Sequence, residues 1–185
     1  MRRPIFLIGY MACGKTTLGT ALAAAADVEF VDLDHLIERR FGCSVSQIFA
    51  TVGEAAFRQA EADTLKSLAE PTDCQRIIGC GGGTPCREEN LQLMLRAGTV
   101  VLLRANRQIT LQRILDAPGQ RPRFIGLDRE QAAAQIDADL ATREPFYCRA
   151  HREFDSSRLD TADQIRQSVA EFIRLFDLTP KQSAQ

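Results

Sequence analysis

The stretch that most restricts how this chain can fold is Gly9-Tyr10-Met11-Ala12-Cys13-Gly14-Lys15-Thr16, which directly follows the apolar run Pro4-Ile5-Phe6-Leu7-Ile8. It fits G-x-x-x-x-G-K-[ST] at every fixed position, the pattern of a loop whose backbone N–H groups surround phosphates. Each part has a physical reason. Glycines admit the phosphates without side-chain clash, and the N-terminus of the next helix attracts the anion. The lysine reaches the β- and γ-phosphates, and the hydroxyl binds Mg²⁺. Such a loop needs a strand before it and a helix after it, and both are legible here, as Pro4–Ile8 and Lys15–Ala26. Ala12, Cys13, Gly14, Lys15, Thr16 and Thr17 are therefore the expected contacts of a nucleoside triphosphate.

The rest of the chain repeats this alternation. Strand patterns at Glu29–Val31, Ile77–Gly79 and Thr99–Leu103 are interleaved with helical patterns. These run from about Leu33 to Phe41 and over Glu54–Ala69, Glu88–Arg96, Ile109–Leu115, Gln131–Ala141 and Thr161–Phe176. Short strands separated by helices imply right-handed βαβ units, hence a parallel sheet with helices on both faces. The expected organisation is a single domain over residues 1–178, with no internal repeat and a frayed polar tail at 179–185. One segment departs from the pattern: Asp116–Asp128, DAPGQRPRFIGLD, holds two prolines, two glycines and two arginines and cannot be a regular helix. A loop this long is usually functional or disordered. It is read as a mobile lid over about 116–128 that brings arginine to a phosphate, the alternative being a plain surface loop.

Composition narrows the choice of class. With 185 residues and a net charge of −1, nothing favours nucleic acid or an anionic membrane as partner. Lysine occurs only at Lys15, Lys66 and Lys181; the remaining positive charge is arginine, whose planar fork grips carboxylates and phosphates. The six cysteines form no C-x-x-C pair and the two histidines lie far from any cysteine cluster, which argues against a zinc site. The N-terminal apolar run is too short for a signal peptide and ends in the phosphate loop. No segment has the length to span a membrane. A cytoplasmic protein with free thiols follows. A regulatory GTPase would carry N-K-x-D, which is absent, and a motor ATPase needs more chain. A small kinase that passes a γ-phosphoryl group to a metabolite fits the length.

Three further features are expected to meet at the carboxyl ends of the strands, where open α/β sheets bind ligands. Asp32 and Asp34 follow strand two, so one can face a metal and the other an acceptor hydroxyl; equally, an aspartate there can cap a helix. Arg58 and Glu61 stand three apart on one helical face. Glu61 can hold Arg58 ready for a carboxylate, or the two can form an ordinary surface pair. Gly81, Gly82 and Gly83 close strand three, where a ligand can approach bare backbone, unless they are only a flexible loop.

Taken together, these pieces resemble the shikimate kinase family from about Arg3 to Phe176. The family pattern has the phosphate loop, a D-x-D (Asp32-Leu33-Asp34), an F-R-x-x-E helix (Phe57-Arg58-Gln59-Ala60-Glu61), the G-G-G run, an R-P in the lid (Arg121-Pro122) and a later R-x-x-x-Y (Arg143 to Tyr147). The resemblance implies a P-loop kinase fold of the nucleoside-monophosphate-kinase type, with a five-stranded parallel sheet in the order 2-3-1-4-5. It implies an acceptor-binding region at about 33–61 and transfer of the γ-phosphoryl group of ATP to the 3-hydroxyl of shikimate. Lys15 and Arg121 would stabilise the transferring group. Thr16 and Asp32 would hold one Mg²⁺. Asp34 would bind the ring hydroxyls and orient the attacking one. Arg58 and Arg143 would clamp the carboxylate, with Gly81, Gly82 and Gly83 at the same pocket. Phe49 and Phe57 match apolar positions of that pocket, and Arg158 stands where the family often packs a residue against adenine. A monomer is expected. A gluconate kinase and a catalytically silent domain are the rival readings. One departure stands out: Ala12 occupies a position where family loops commonly have glycine, so a positive φ there would be strained. The Cys13 thiol, beside a helix N-terminus, is a candidate for redox sensitivity.

Overall fold

The structure, a computed structural model, describes residues 1–117 and 122–181. Five parallel strands form the centre: β1 (Ile5–Ile8), β2 (Val28–Asp32), β3 (Gln75–Gly79), β4 (Thr99–Arg104) and β5 (Arg152–Asp155), arranged β2-β3-β1-β4-β5. This is the expected order. Among the described residues eight α-helices connect or flank them: α1 (Lys15–Ala25), α2 (Leu33–Phe41), α3 (Val45–Thr51), α4 (Gly53–Leu68), α5 (Glu88–Ala97), α6 (Arg107–Leu115), α7 (Arg129–Tyr147) and α8 (Ala162–Leu175). No helix among the described residues is long and apolar enough to cross a membrane.

The continuous apolar run of β1 reflects burial on both faces. All four of its residues are buried, and they alternate between two cores. Phe6 and Ile8 pack with α2, α4, α5 and α7 residues such as Ile37, Leu65, Met94 and Ile136. Ile5 and Leu7 pack with Leu18 and Leu22 of α1 and Phe172 of α8. Because β1 pairs with β3 on one side and β4 on the other, the phosphate loop leaves the middle of the sheet, beside the glycines that leave β3.

Several boundaries differ from expectation, each for a physical reason. Helix α3 was not foreseen; it is short, and a reciprocal capping box between Ser44 and Gln47 defines its start. Strand β5 reads REFD and buries only Phe154, so its pattern is that of an edge strand without an apolar run. Helix α7 continues to Tyr147, through Pro145, rather than ending near Ala141. Proline forfeits one bond to the carbonyl four residues back, a loss confined here to the last turn. The tail does not fray at once: the N–H of Asp27 donates to the Thr179 carbonyl at 2.8 Å, and that of Lys181 to the Ala25 carbonyl at 3.0 Å. Of the expected lid, Pro122–Phe124 forms a 3₁₀ turn. Arg121 lies outside the described residues.

Candidate active site

The phosphate loop follows from unusual backbone. Gly9 has φ 142° and Gly14 φ 96°, and Ala12 is held at φ 61°. A Cβ on Gly9 would stand 2.5 Å from the Leu103 carbonyl oxygen, so the loop lies too close to β4 for any side chain there. The strain foreseen at Ala12 is therefore present. Cys13 is 2% exposed, with its Sγ 3.5 Å from Lys15 Nζ. Lys15 Nζ donates to the carbonyls of Gly9 (2.9 Å) and Tyr10 (3.0 Å). Ala12, Gly14, Lys15, Thr16 and Thr17 line a cleft of about 810 Å³, closed on the other side by Ile109, Gln112 and Arg113 of α6 and by Leu159 and Asp160. Arg158 is exposed and does not line it.

Arg113 was not singled out from sequence. Its guanidinium donates to the carbonyls of Ala12, Ser156 and Ser157 at 3.2 Å, and its Nε to Asp160 at 2.8 Å. It thus ties α6 to the phosphate loop and to the loop after β5. No local pattern marks it, because these partners are brought together only by the tertiary fold.

Asp32 caps a helix and also touches the phosphate loop. Its Oδ1 caps α2 by accepting from the His35 N–H at 3.3 Å, while its Oδ2 accepts from the Thr16 hydroxyl at 2.8 Å. Two residues on, Asp34 lies partly buried. Burial, then the nearby charges of Asp32 and Glu61, push its carboxyl up from 3.8 to about 6.

Arg58 and Glu61 do pair, at 3.0 Å, and the pair is not a surface one on the Glu61 side. Glu61 is 1% exposed, and its other oxygen accepts from the Thr84 hydroxyl at 2.6 Å. Glu54 holds the far edge of the guanidinium at 3.1 Å. Beneath it lie Phe57 and Phe49, packed edge to face at 4.9 Å between ring centroids. Arg143, near the end of α7, lies over the Tyr10 ring at 5.0 Å. Beside it, the Tyr147 hydroxyl donates to the Gly82 carbonyl at 2.7 Å.

These groups converge on the glycine run, one to each glycine. A Cβ on Gly81 would stand 2.8 Å from Asp34 Oδ1, one on Gly82 2.8 Å from Arg143 Nη1, and one on Gly83 3.2 Å from Arg58 Nη2. At such distances an added methyl group would push the facing side chain aside, so the run forms a floor against which three charged side chains lie. Arg58, Gly83 and Arg143 line an open pocket of about 610 Å³ together with Glu54, Ala55, Cys86, Arg87 and Thr142.

The family model for shikimate kinase matches residues 11–174. The chain belongs to the shikimate kinase family. It is 38% identical over 174 residues to a shikimate kinase of Bacteroides fragilis, covering 94% of this chain and 96% of that one. The crystal structure of shikimate kinase from Bacteroides thetaiotaomicron superposes with a TM-score of 0.88 at 38% identity, over 95% of this chain and 99% of that chain. Shikimate kinase from Acinetobacter baumannii, solved in complex with shikimate, gives a TM-score of 0.76 at 26% identity, over 96% and 94%. As a member of the shikimate kinase family the chain is a kinase.

Proposed function

We propose that the protein transfers the γ-phosphoryl group of ATP to the 3-hydroxyl of shikimate, giving shikimate 3-phosphate and ADP, as a cytoplasmic monomer of aromatic amino-acid biosynthesis. The observation that carries this reading is the convergence of Asp34, Arg143 and Arg58 on Gly81, Gly82 and Gly83. Shikimate is a small carboxylated triol. Two arginines suit its carboxylate, since guanidinium forks match carboxylate geometry, and a third, anionic group suits its hydroxyls. With its carboxyl at about 6, Asp34 is ionised at neutral pH and accepts the hydrogen bond of the attacking hydroxyl. A strong base is not required, because phosphoryl transfer rests mainly on positioning and charge neutralisation.

Lys15 and Arg121 are assigned to the charge that develops on the transferring group. The Thr16 hydroxyl and the Asp32 carboxylate are hard oxygen donors 2.8 Å apart. Among the described residues no cluster of three His, Cys, Asp or Glu could hold a metal unaided. That donor set fits Mg²⁺, which binds through one or two protein oxygens plus phosphates and water. Bound there, Mg²⁺ supplies neutralisation of the phosphate charge. The 810 Å³ cleft beside α6 is assigned to the nucleotide, and the 116–128 segment is assigned the role of a lid against water that would otherwise hydrolyse ATP.

The test is ADP release from MgATP with and without shikimate, with gluconate and quinate as controls. Strong stimulation by shikimate alone is expected. Equal release under all conditions, or stimulation by gluconate instead, would overturn the assignment.

A further inference from the structure

On α7, one turn before Arg143, stands Asp139, 7% exposed. An acid and an arginine four apart on a helix ordinarily pair. Here the ion pair is long and makes no hydrogen bond: Arg143 Nη2 stays 3.8 Å from Asp139 Oδ2. The cause is that the carboxylate is already filled. Its Oδ2 accepts from the Tyr10 hydroxyl at 2.7 Å and from Arg123 Nη1 at 3.1 Å; its Oδ1 accepts from Arg123 Nη2 at 3.0 Å and from Gln135 Nε2 at 3.0 Å. A carboxylate offers about four acceptor sites, and all four are taken.

The partner that fills two of them is Arg123, from the 3₁₀ turn Pro122–Phe124. It is 55% exposed and reaches across to a carboxylate that is 10% exposed in its side chain. Remove Arg123 and a buried carboxylate loses its bidentate counter-charge, with Arg143 the cation next in reach. A buried unpaired charge is expensive, so Arg143 would be drawn onto Asp139 and away from the Gly82 floor, where its Nη1 now lies.

We propose that Arg123 is a positioning residue for acceptor binding: by occupying Asp139 it keeps Arg143 aimed at the acceptor carboxylate rather than at its own helix. The inference rests on the acceptor role proposed for Arg143. It gives the stretch just after Arg121 a second task, distinct from contact with the phosphoryl group.

Steady-state kinetics on the full chain test it. Arg123→Ala raises KM for shikimate about fivefold, the scale of a half-exposed ion pair, and leaves kcat and KM for ATP unchanged. Arg123→Lys, which keeps the charge but not the bidentate fork, raises KM for shikimate less than Arg123→Ala does. Adding Asp139→Asn to Arg123→Ala removes the charge that captures Arg143 and restores KM for shikimate, an effect that loss of mere scaffolding would not produce. Unchanged KM in Arg123→Ala overturns the proposal. So does a double variant weaker than the single one, or a fall in kcat at constant KM, which would tie Arg123 to phosphoryl transfer through the Arg121 segment. A wild-type protein without shikimate-dependent turnover would instead overturn the acceptor reading itself, and this inference with it.

Discussion

Replacing Asp34 with asparagine is expected to stabilise the protein while disabling it. In the fold, the carboxyl rises from 3.8 to about 6, chiefly through burial and secondarily through Asp32 and Glu61. The native state therefore holds that proton more tightly than the unfolded chain does. Ionising Asp34 costs nothing below pH 3.8, costs progressively more as pH rises through the window to about 6, and costs the full amount above it. At 1.36 kcal/mol per pH unit the full amount is about 3 kcal/mol, and residual solvent contact around a partly buried group reduces it to about 1–2 kcal/mol. For a chain of this size each kcal/mol moves Tm by about 2–4 °C. Asparagine keeps the shape against Gly81 and carries no charge. Thermal unfolding followed by circular dichroism should place the variant about 3–6 °C above wild type at pH 8, with the gap closing at pH 4. Shikimate-dependent turnover should fall about a hundredfold, within the span of a misplaced hydroxyl acceptor. A variant no more stable than wild type at pH 8, or a gap of the same size at both pH values, would refute the account of Asp34 as a strained charge.

Four other perturbations follow from the same geometry. Gly82→Ala puts a methyl group 2.8 Å from Arg143 Nη1; overpacking of about 1.5 kcal/mol should raise KM for shikimate about tenfold and leave KM for ATP alone, as read by initial rates. Ala12→Gly relieves the φ of 61°, a gain of about 1 kcal/mol partly offset by the freer unfolded chain. A Tm higher by about 1–2 °C with turnover retained is expected in a melting assay. Lys15→Ala should abolish turnover, whereas Arg58→Ala should weaken shikimate binding and also lower Tm by leaving the buried Glu61 without its arginine, a loss of about 3 kcal/mol that calorimetry would detect.

What the sequence announced was what is encoded locally. The phosphate loop, the two aspartates at the end of β2 and the glycines after β3 are each short local patterns that can be read without knowing the rest of the fold. The pairing of Arg58 with Glu61 follows from helical spacing alone. By contrast, β5 is an edge strand with one buried side chain, so periodicity is silent there. The end of α7 is hidden by Pro145, which ordinarily marks a stop. Arg113 and Asp139 draw their significance from partners that the chain meets only after folding, some of them more than forty residues away, such as Ser156 and Tyr10. Asp139 in particular looks from sequence like a solvent-facing member of a polar helix.

The glycine floor has a consequence for how such a pocket can change over time. Each of Gly81, Gly82 and Gly83 is matched to one side chain from a different helix, α2, α7 and α4 respectively. Enlarging any of the three displaces the head of its own counterpart, so under the acceptor role proposed for those side chains each glycine is inherited together with one partner. Drift toward another acceptor would then have to change glycine and partner in step at up to three places, and the short run of hydrogens where side chains would be acts as a brake on such drift.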